Sequence, residues 1–209
     1  MKTPIVLGAV AAAVFYSPPV RRWYLTWGAT PQEVSAAMPG DDLLPEPELL
    51  STRAVTVDAP PSAVWPWLVQ MGSGRGGAYT YDWIENLFGL GMHSADEILP
   101  EFQHLAVGDV LPIGAKGPGL RVEISDPERT LAFRSEDSNW VWIFDLLPSG
   151  AGTRLVSRNR IATPAASWAR RLVNRAVMEP GSLVMERRML IGIKERAERS
   201  APTPEPQTV

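Results

Sequence analysis

Cysteine is absent from the 209-residue chain, and histidine occurs only at His93 and His104. The first absence excludes disulfides, thiolate metal sites, haem attachment and a cysteine nucleophile. The second excludes a multi-histidine metal centre, and the spacing of the two histidines fits no helical pair of ligands. No metal and no cofactor are expected. A G-x-S-x-G nucleophile elbow is missing too, because Met71 stands where its first glycine would precede Ser73. That argues against a serine hydrolase.

Long apolar runs are scarce. The densest, Ile5 to Tyr16, would span about 18 Å as a helix, short of the roughly 30 Å hydrocarbon core of a bilayer. Extending the uncharged stretch to Val20 nearly reaches that length, but Pro18-Pro19 should end a helix there. Three readings compete: an uncleaved anchor, a signal peptide with a cleavage site at Ala11-Ala12-Ala13, and a terminal helix docked on the domain. The expectation adopted is the anchor. A single N-terminal transmembrane helix would make the protein membrane-associated, with Trp23, Tyr24 and Trp27 at the interface. Lys2 on one side and Arg21-Arg22 on the other leave its orientation open.

The net charge of −3 conceals an asymmetry, because 11 of the 20 Lys and Arg but only 5 of the 23 Asp and Glu follow residue 150. The basic residues of that part alternate with Glu179, Glu186, Glu195 and Glu198 along a helical stretch, so they read as a solvated face. Nucleic acid is not an expected partner.

Composition divides the chain into a hydrophobic N-terminal segment (1–22), a connector (23–49), a domain (50–200) and a Pro-rich polar tail (201–209) expected to be disordered. In the connector, Thr30-Pro31-Gln32-Glu33 is a helix start with a capping-box spacing. In the domain, residues 52–58 alternate as a strand, Pro60-Pro61 opens a helix to Met71, and a second helix is expected over 79–90. Strands follow at 107–113, 120–125, 130–135, 140–147 and 153–161. Their periodicity places Leu120, Val122 and Ile124 on one face, as it does Trp140, Trp142, Phe144 and Leu146. In the last strand Arg154, Arg158 and Arg160 should face water, and Leu155, Ser157, Asn159 and Ile161 the core. A helical region, 165–199, is expected to break at Pro180-Gly181. Beyond it, Met185, Met189, Ile193 and Ala197 form a buried stripe. The fold class is therefore α+β: a curved antiparallel sheet wrapped around a long C-terminal helix.

This order, with VDAPPSAVWPWLVQM at the first strand-to-helix junction and MERRMLIGIKERAE in the last helix, resembles the SRPBCC superfamily, the START-related, polyketide-cyclase-like, helix-grip fold. RGGAYTYDWIENL followed by VGDVLPIG is similar to an actinobacterial-type subgroup of it. The resemblance covers about residues 50–199. It implies a cavity between sheet and C-terminal helix that holds a hydrophobic or amphipathic small molecule, such as a lipid, for binding or transport. The alternative it implies is an aromatase/cyclase-type enzyme acting on a polyketide-like carbonyl substrate. Arg75 would then stabilise an enolate, and Tyr81, Asp82 or His93 would move protons.

Gly72, Gly74 and Gly77 spell G-x-G-x-x-G, but Pro66 in the preceding apolar run excludes the central strand a dinucleotide site needs. These glycines read as a tight inter-helix loop. The densest polar cluster is Arg75, Tyr79, Tyr81, Asp82 and Glu85, whose plain reading is structural and whose functional reading is a clamp on a ligand. From it Arg75, Tyr81 and Asp82 are taken as candidate ligand-binding residues. The sheet contributes Trp140, Trp142, Phe144, Ser157 and Asn159, and the last helix Met185 and Met189.

Overall fold

The structure, a computed structural model, describes residues 16–114, 119–164 and 166–201. Six strands form one antiparallel sheet: β1 (Leu49–Val57), β2 (Val110–Pro112), β3 (Gly119–Asp126), β4 (Thr130–Ser135), β5 (Trp140–Ser149) and β6 (Gly152–Ile161). Their order is β1-β6-β5-β4-β3-β2. Strands β2 to β6 follow one another as a meander, and β1 pairs with β6 along its whole length, Leu49 opposite Ile161 and Val57 opposite Thr153. Between β1 and β2 the chain inserts α3 (Pro61–Val69) and α4 (Asp82–Leu87). The C-terminal helix α6 (Glu179–Ser200) packs against β1 and α3. A curved sheet left open at β1 and β2 and gripping a long helix is the helix-grip fold expected from the sequence.

The concave side carries the main core. Val55, Val57, Phe133, Phe144 and Leu155 from the sheet meet Leu68 of α3 and Met189, Ile193 and Ala197 of α6. The period-2 reading holds for β4 and β5 but fails midway in β3. A bulge between Val122 and Ile124 shifts the register, so Val122 joins the concave core and Ile124 packs on the convex side. An extra residue in one strand reverses the side-chain alternation beyond it.

The convex face is not wet. Residues 26–46 lie across it, and Met38, Leu43 and Leu44 cover Ala132, Val141, Ile143 and Val156. A short helix, α2 (Pro31–Ser35), is closed by the Thr30–Glu33 capping box. The arginines expected in water anchor this layer: Arg154 pairs with Glu33, while Arg158 and Arg160 share Asp41. Alternation reports which face a side chain takes, but not what covers that face.

The C-terminal region is continuous rather than broken at Pro180-Gly181. Helix α5 (Trp168–Val173) runs through a π-helical turn (Asn174–Met178) into α6. Pro180 lacks the N–H that would bond the Ala176 carbonyl; the Tyr16 hydroxyl donates to that carbonyl instead, at 2.8 Å. The π-helical turn, a rare feature that occurs mostly as a single widened turn inside an α-helix, directly precedes the turn that holds the proline.

The expected membrane-spanning helix, and the membrane partner and location built on it, are corrected. Among the described residues no helix is long and apolar enough to cross a membrane. Residues 5–15 of the proposed span lie outside the described residues, as do residues 202–209 of the expected tail. Where the chain is described, Pro18-Pro19 opens a helix, α1 (Pro18–Leu25). Proline suits the first helical turn, where no N–H is needed. This helix docks on the domain. Tyr24 is buried, Arg21 forms a bidentate pair with Glu179 at 2.7 and 2.8 Å, and Trp27 packs on the core under Arg187. Deleting residues 1–25 removes the buried Tyr24 ring and the carbonyl that accepts from Arg53 Nε. The expected loss is about 2 to 3 kcal/mol, a fall in Tm of roughly 5 to 10 °C. An unchanged Tm in calorimetry would show that α1 is dispensable to the fold.

Candidate functional site

Where the sheet curves away from the start of α6, the core is incomplete. A cavity of about 420 Å³ lies between β1, β3, β4, β5, β6, the loop before α4, and α6. Most of its wall is apolar: Trp140 and Trp142 of β5 and Leu111 of β2 from the sheet, Met185 and Met189 from the helix, and Met71 from the crossover. The two tryptophan rings stack with centroids 5.5 Å apart at 21°, which makes a flat aromatic panel. Periodicity explains the panel, since both residues alternate inward on β5 with Phe144 and Leu146.

One polar group is built into this wall. Arg53 of β1, fully buried, pairs with Glu186 of α6. Its other donors reach the Tyr24 carbonyl and Ser182 Oγ, both at 3.0 Å. Glu186 Oε1 accepts from Ser157 Oγ at 2.7 Å and from Asn159 Nδ2 at 3.2 Å. Behind them Trp142 Nε1 donates to Ser157 Oγ and Trp140 Nε1 to Asn159 Oδ1. The aromatic panel is thus tied by hydrogen bonds to a buried ion pair, which fixes both ring orientations. Each charge has its partner, as a buried ion pair requires to persist.

Thr80 and Glu85 form a second polar feature of the lining. Glu85 is 8% exposed. Its Oε2 and the Thr80 Oγ1 are buried without hydrogen-bond partners. Burial pushes the Glu85 carboxyl above the usual carboxylate range; the nearby Thr80 hydroxyl offsets part of this and the Asp82 carboxylate adds to it.

The ten candidate residues divide evenly. Trp140, Trp142, Asn159, Met185 and Met189 line the cavity. Arg75, Tyr81, Asp82, Phe144 and Ser157 are not part of its lining. Arg75 donates to the Val69 and Phe102 carbonyls and lies 4.4 Å over the Phe102 ring, so it ties the glycine loop to the crossover. Asp82 accepts from the Ser94 backbone and hydroxyl at 2.7 and 2.6 Å and fastens the loop after α4. Tyr81 is 36% exposed. Phe144 lies under Trp142 in the core, and Ser157 acts through Glu186. His93 and His104 also lie outside the lining. None of the residues to which a cyclase would assign its chemistry therefore reaches the cavity. A Cβ on Gly192 would come within 2.6 Å of the Tyr79 carbonyl, so this glycine lets the Tyr79 loop, held at φ 57°, lie directly on α6.

Arg53 and Glu186 were not among the candidates, although each carries a readable signal. Arg53 alternates inward with Val55 and Val57, and Glu186 precedes Leu190 and Ile193 by one and two helical turns on the buried face. Opposite charges on two core-facing stripes predict an internal pair.

No family model matches the chain, and no curated protein matches it. Among solved structures, the fold is similar to that of a Mesorhizobium loti protein (17% identity, TM-score 0.46), covering 74% of this chain and 100% of that one. It is also similar to a polyketide cyclase-like protein of Corynebacterium glutamicum (14% identity, TM-score 0.44, 72% and 91% covered). A Rhodobacter sphaeroides protein gives 14% identity and a TM-score of 0.44, with 72% and 93% covered. At these identities the likeness concerns the fold alone.

Proposed function

We propose that this helix-grip domain, read as a distant member of the SRPBCC superfamily, binds a hydrophobic or amphipathic small molecule between the sheet and α6. The observation that carries this reading is the cavity itself. About 420 Å³ of space, partly open to the surface, remains between the sheet and α6, whereas protein interiors ordinarily pack to crystal density. Ligand pockets of roughly 300 to 1,000 Å³, mostly apolar with a few placed polar groups, share this character. The thioether side chains of Met185 and Met189 can adjust to guests of differing shape. A cyclase-type reaction draws less support, because Arg75, Tyr81, Asp82 and His93 stand outside the cavity.

Met189→Trp tests the reading. Met189 is 2% exposed and lines the cavity, so the larger ring has only that space to enter. The expected result is about a tenfold loss of affinity for Nile red, followed by fluorescence, with Tm held or raised. A wild-type protein that binds no such probe, with a variant destabilised by about 1 to 3 kcal/mol as an overpacked core would be, would overturn the proposal.

A further inference from the structure

The cavity carries two polar features, and they differ in one respect. The Arg53–Glu186 pair, with Ser157, Asn159 and Ser182, satisfies its own charges. Thr80 and Glu85 do not: the Thr80 hydroxyl stands close enough to the Glu85 carboxyl to draw it down, but Thr80 Oγ1 and Glu85 Oε2 are buried and, among the described residues, neither makes a hydrogen bond of normal geometry, although both residues belong to the lining. A buried polar atom left unpaired is costly and uncommon. Two of them together beside an empty apolar space mark a place where something else supplies the partner.

Resting on the binding function proposed above, we infer that Thr80 and Glu85 form a subsite for one uncharged oxygen of the ligand, a hydroxyl or a carbonyl, so that the cavity selects neutral oxygenated apolar molecules over their carboxylate analogues. The chemistry of the lining carries the choice. A threonine hydroxyl donates and accepts, and a carboxyl group accepts in either protonation state, so the two together satisfy a ligand hydroxyl and the Thr80 hydroxyl can donate to a ligand carbonyl. The charged residues of the lining are Arg53, Glu85 and Glu186. Arg53 is committed to Glu186, which leaves no cation among the described residues of the wall to receive a carboxylate, and Asp82 stands near Glu85 as a further source of repulsion. Burial pushes the Glu85 carboxyl upward, the direction that favours its protonated form. Arg75, the arginine of the glycine loop, turns its Nη2 to the Val69 and Phe102 carbonyls and is not part of the lining.

The test is displacement of the neutral probe N-phenyl-1-naphthylamine from the full chain by decan-1-ol, decan-2-one and decanoate at neutral pH. The alcohol and ketone should displace the probe at concentrations about tenfold below that needed for decanoate. In Glu85→Leu the probe should bind as before, while alcohol and ketone lose about five- to tenfold relative to it; Glu85→Gln, which keeps a donor and an acceptor, should retain their affinity. Thr80→Val is the second variant, a near-isosteric change that removes only the hydroxyl, and it decides the matter if Glu85→Leu fails to fold. Should the probe bind while decanoate matches the alcohol, or while neither variant changes the ratio of alcohol to probe, the subsite is refuted and the binding function stands. If neither the probe nor decan-1-ol binds the wild-type chain, the binding function falls and the subsite with it.

Discussion

Arg53→Met should cost about 3 to 5 kcal/mol of folding stability, the penalty for leaving a buried charge without its counterion. The substitution keeps the apolar stem and removes only the guanidinium. Glu186 would then sit 7% exposed with two neutral donors, Ser157 and Asn159, and no positive charge. Since whole domains are stable by about 5 to 15 kcal/mol, the single variant should approach the edge of folding. The double variant Arg53→Met/Glu186→Leu should recover most of the loss, because it removes the charge that the single variant strands. Ser182, the Tyr24 carbonyl, Ser157 and Asn159 would each still lose a partner, so a residual cost of about 1 to 2 kcal/mol is expected. Urea unfolding of the wild type, both single variants and the double variant measures this as a coupling energy. Additive effects would mean that the two charges do not act as a pair.

The same pair shows how far the sequence can be read. Alternation on β1 and the four-residue stripe on α6 fix which side chains point inward, so a sheet packed on a long C-terminal helix follows from pattern, and the resemblance supplies the helix-grip arrangement. What pattern does not report is the distance between two inward-pointing residues from different elements. Arg53 and Glu186 are 133 positions apart, and only the wrapping of sheet around helix brings them together. Arg75 shows the converse. It was legible as an arginine in a glycine loop, but the Phe102 turn it stacks on comes from a crossover whose path has no periodicity. The β3 bulge is a third kind of loss, since Val122 and Ile124 obey the same alternation rule and end on opposite faces. For the site, the aromatic panel and the methionine wall were readable because each lies within one regular element. Thr80 and Glu85 matter through what they lack, and an absent hydrogen bond leaves no mark in a sequence.

The connector presents the largest departure from a reading by periodicity, and Arg158 is where it can be tested. Arg158 is 2% exposed. Its guanidinium donates to Thr52 Oγ1, to Asp41 Oδ2 at 2.7 Å, and to the carbonyls of Glu33, Val34 and Ala36. Those three carbonyls stand at the C-terminal end of α2, where a helix of five residues has acceptors but no helical donors left for them. One strand residue therefore caps the connector helix and binds the turn that follows it. In Arg158→Met the stem still packs, but three carbonyls and Thr52 Oγ1 lose their donor together, and Asp41 is left with Arg160 and the Met38 N–H. At about 1 to 3 kcal/mol for each buried group left unsatisfied, and with partial rescue by water, the expected cost is about 3 to 5 kcal/mol. Arg154→Met should cost less, about 1 kcal/mol, because its pair with Glu33 is partly open to solvent on both sides. The loss in Arg158→Met should also be local before it is global. Hydrogen exchange should accelerate across residues 28–46 while β4 and β5 stay protected, since local opening reports the stability of the segment that opens. Lifting that layer exposes Ala132, Val141 and Ile143, each fully buried now, so the variant should also aggregate at concentrations the wild type tolerates. Exchange in residues 28–46 no faster than in the wild type would show that apolar contact through Met38, Leu43 and Leu44 holds the connector without the arginine.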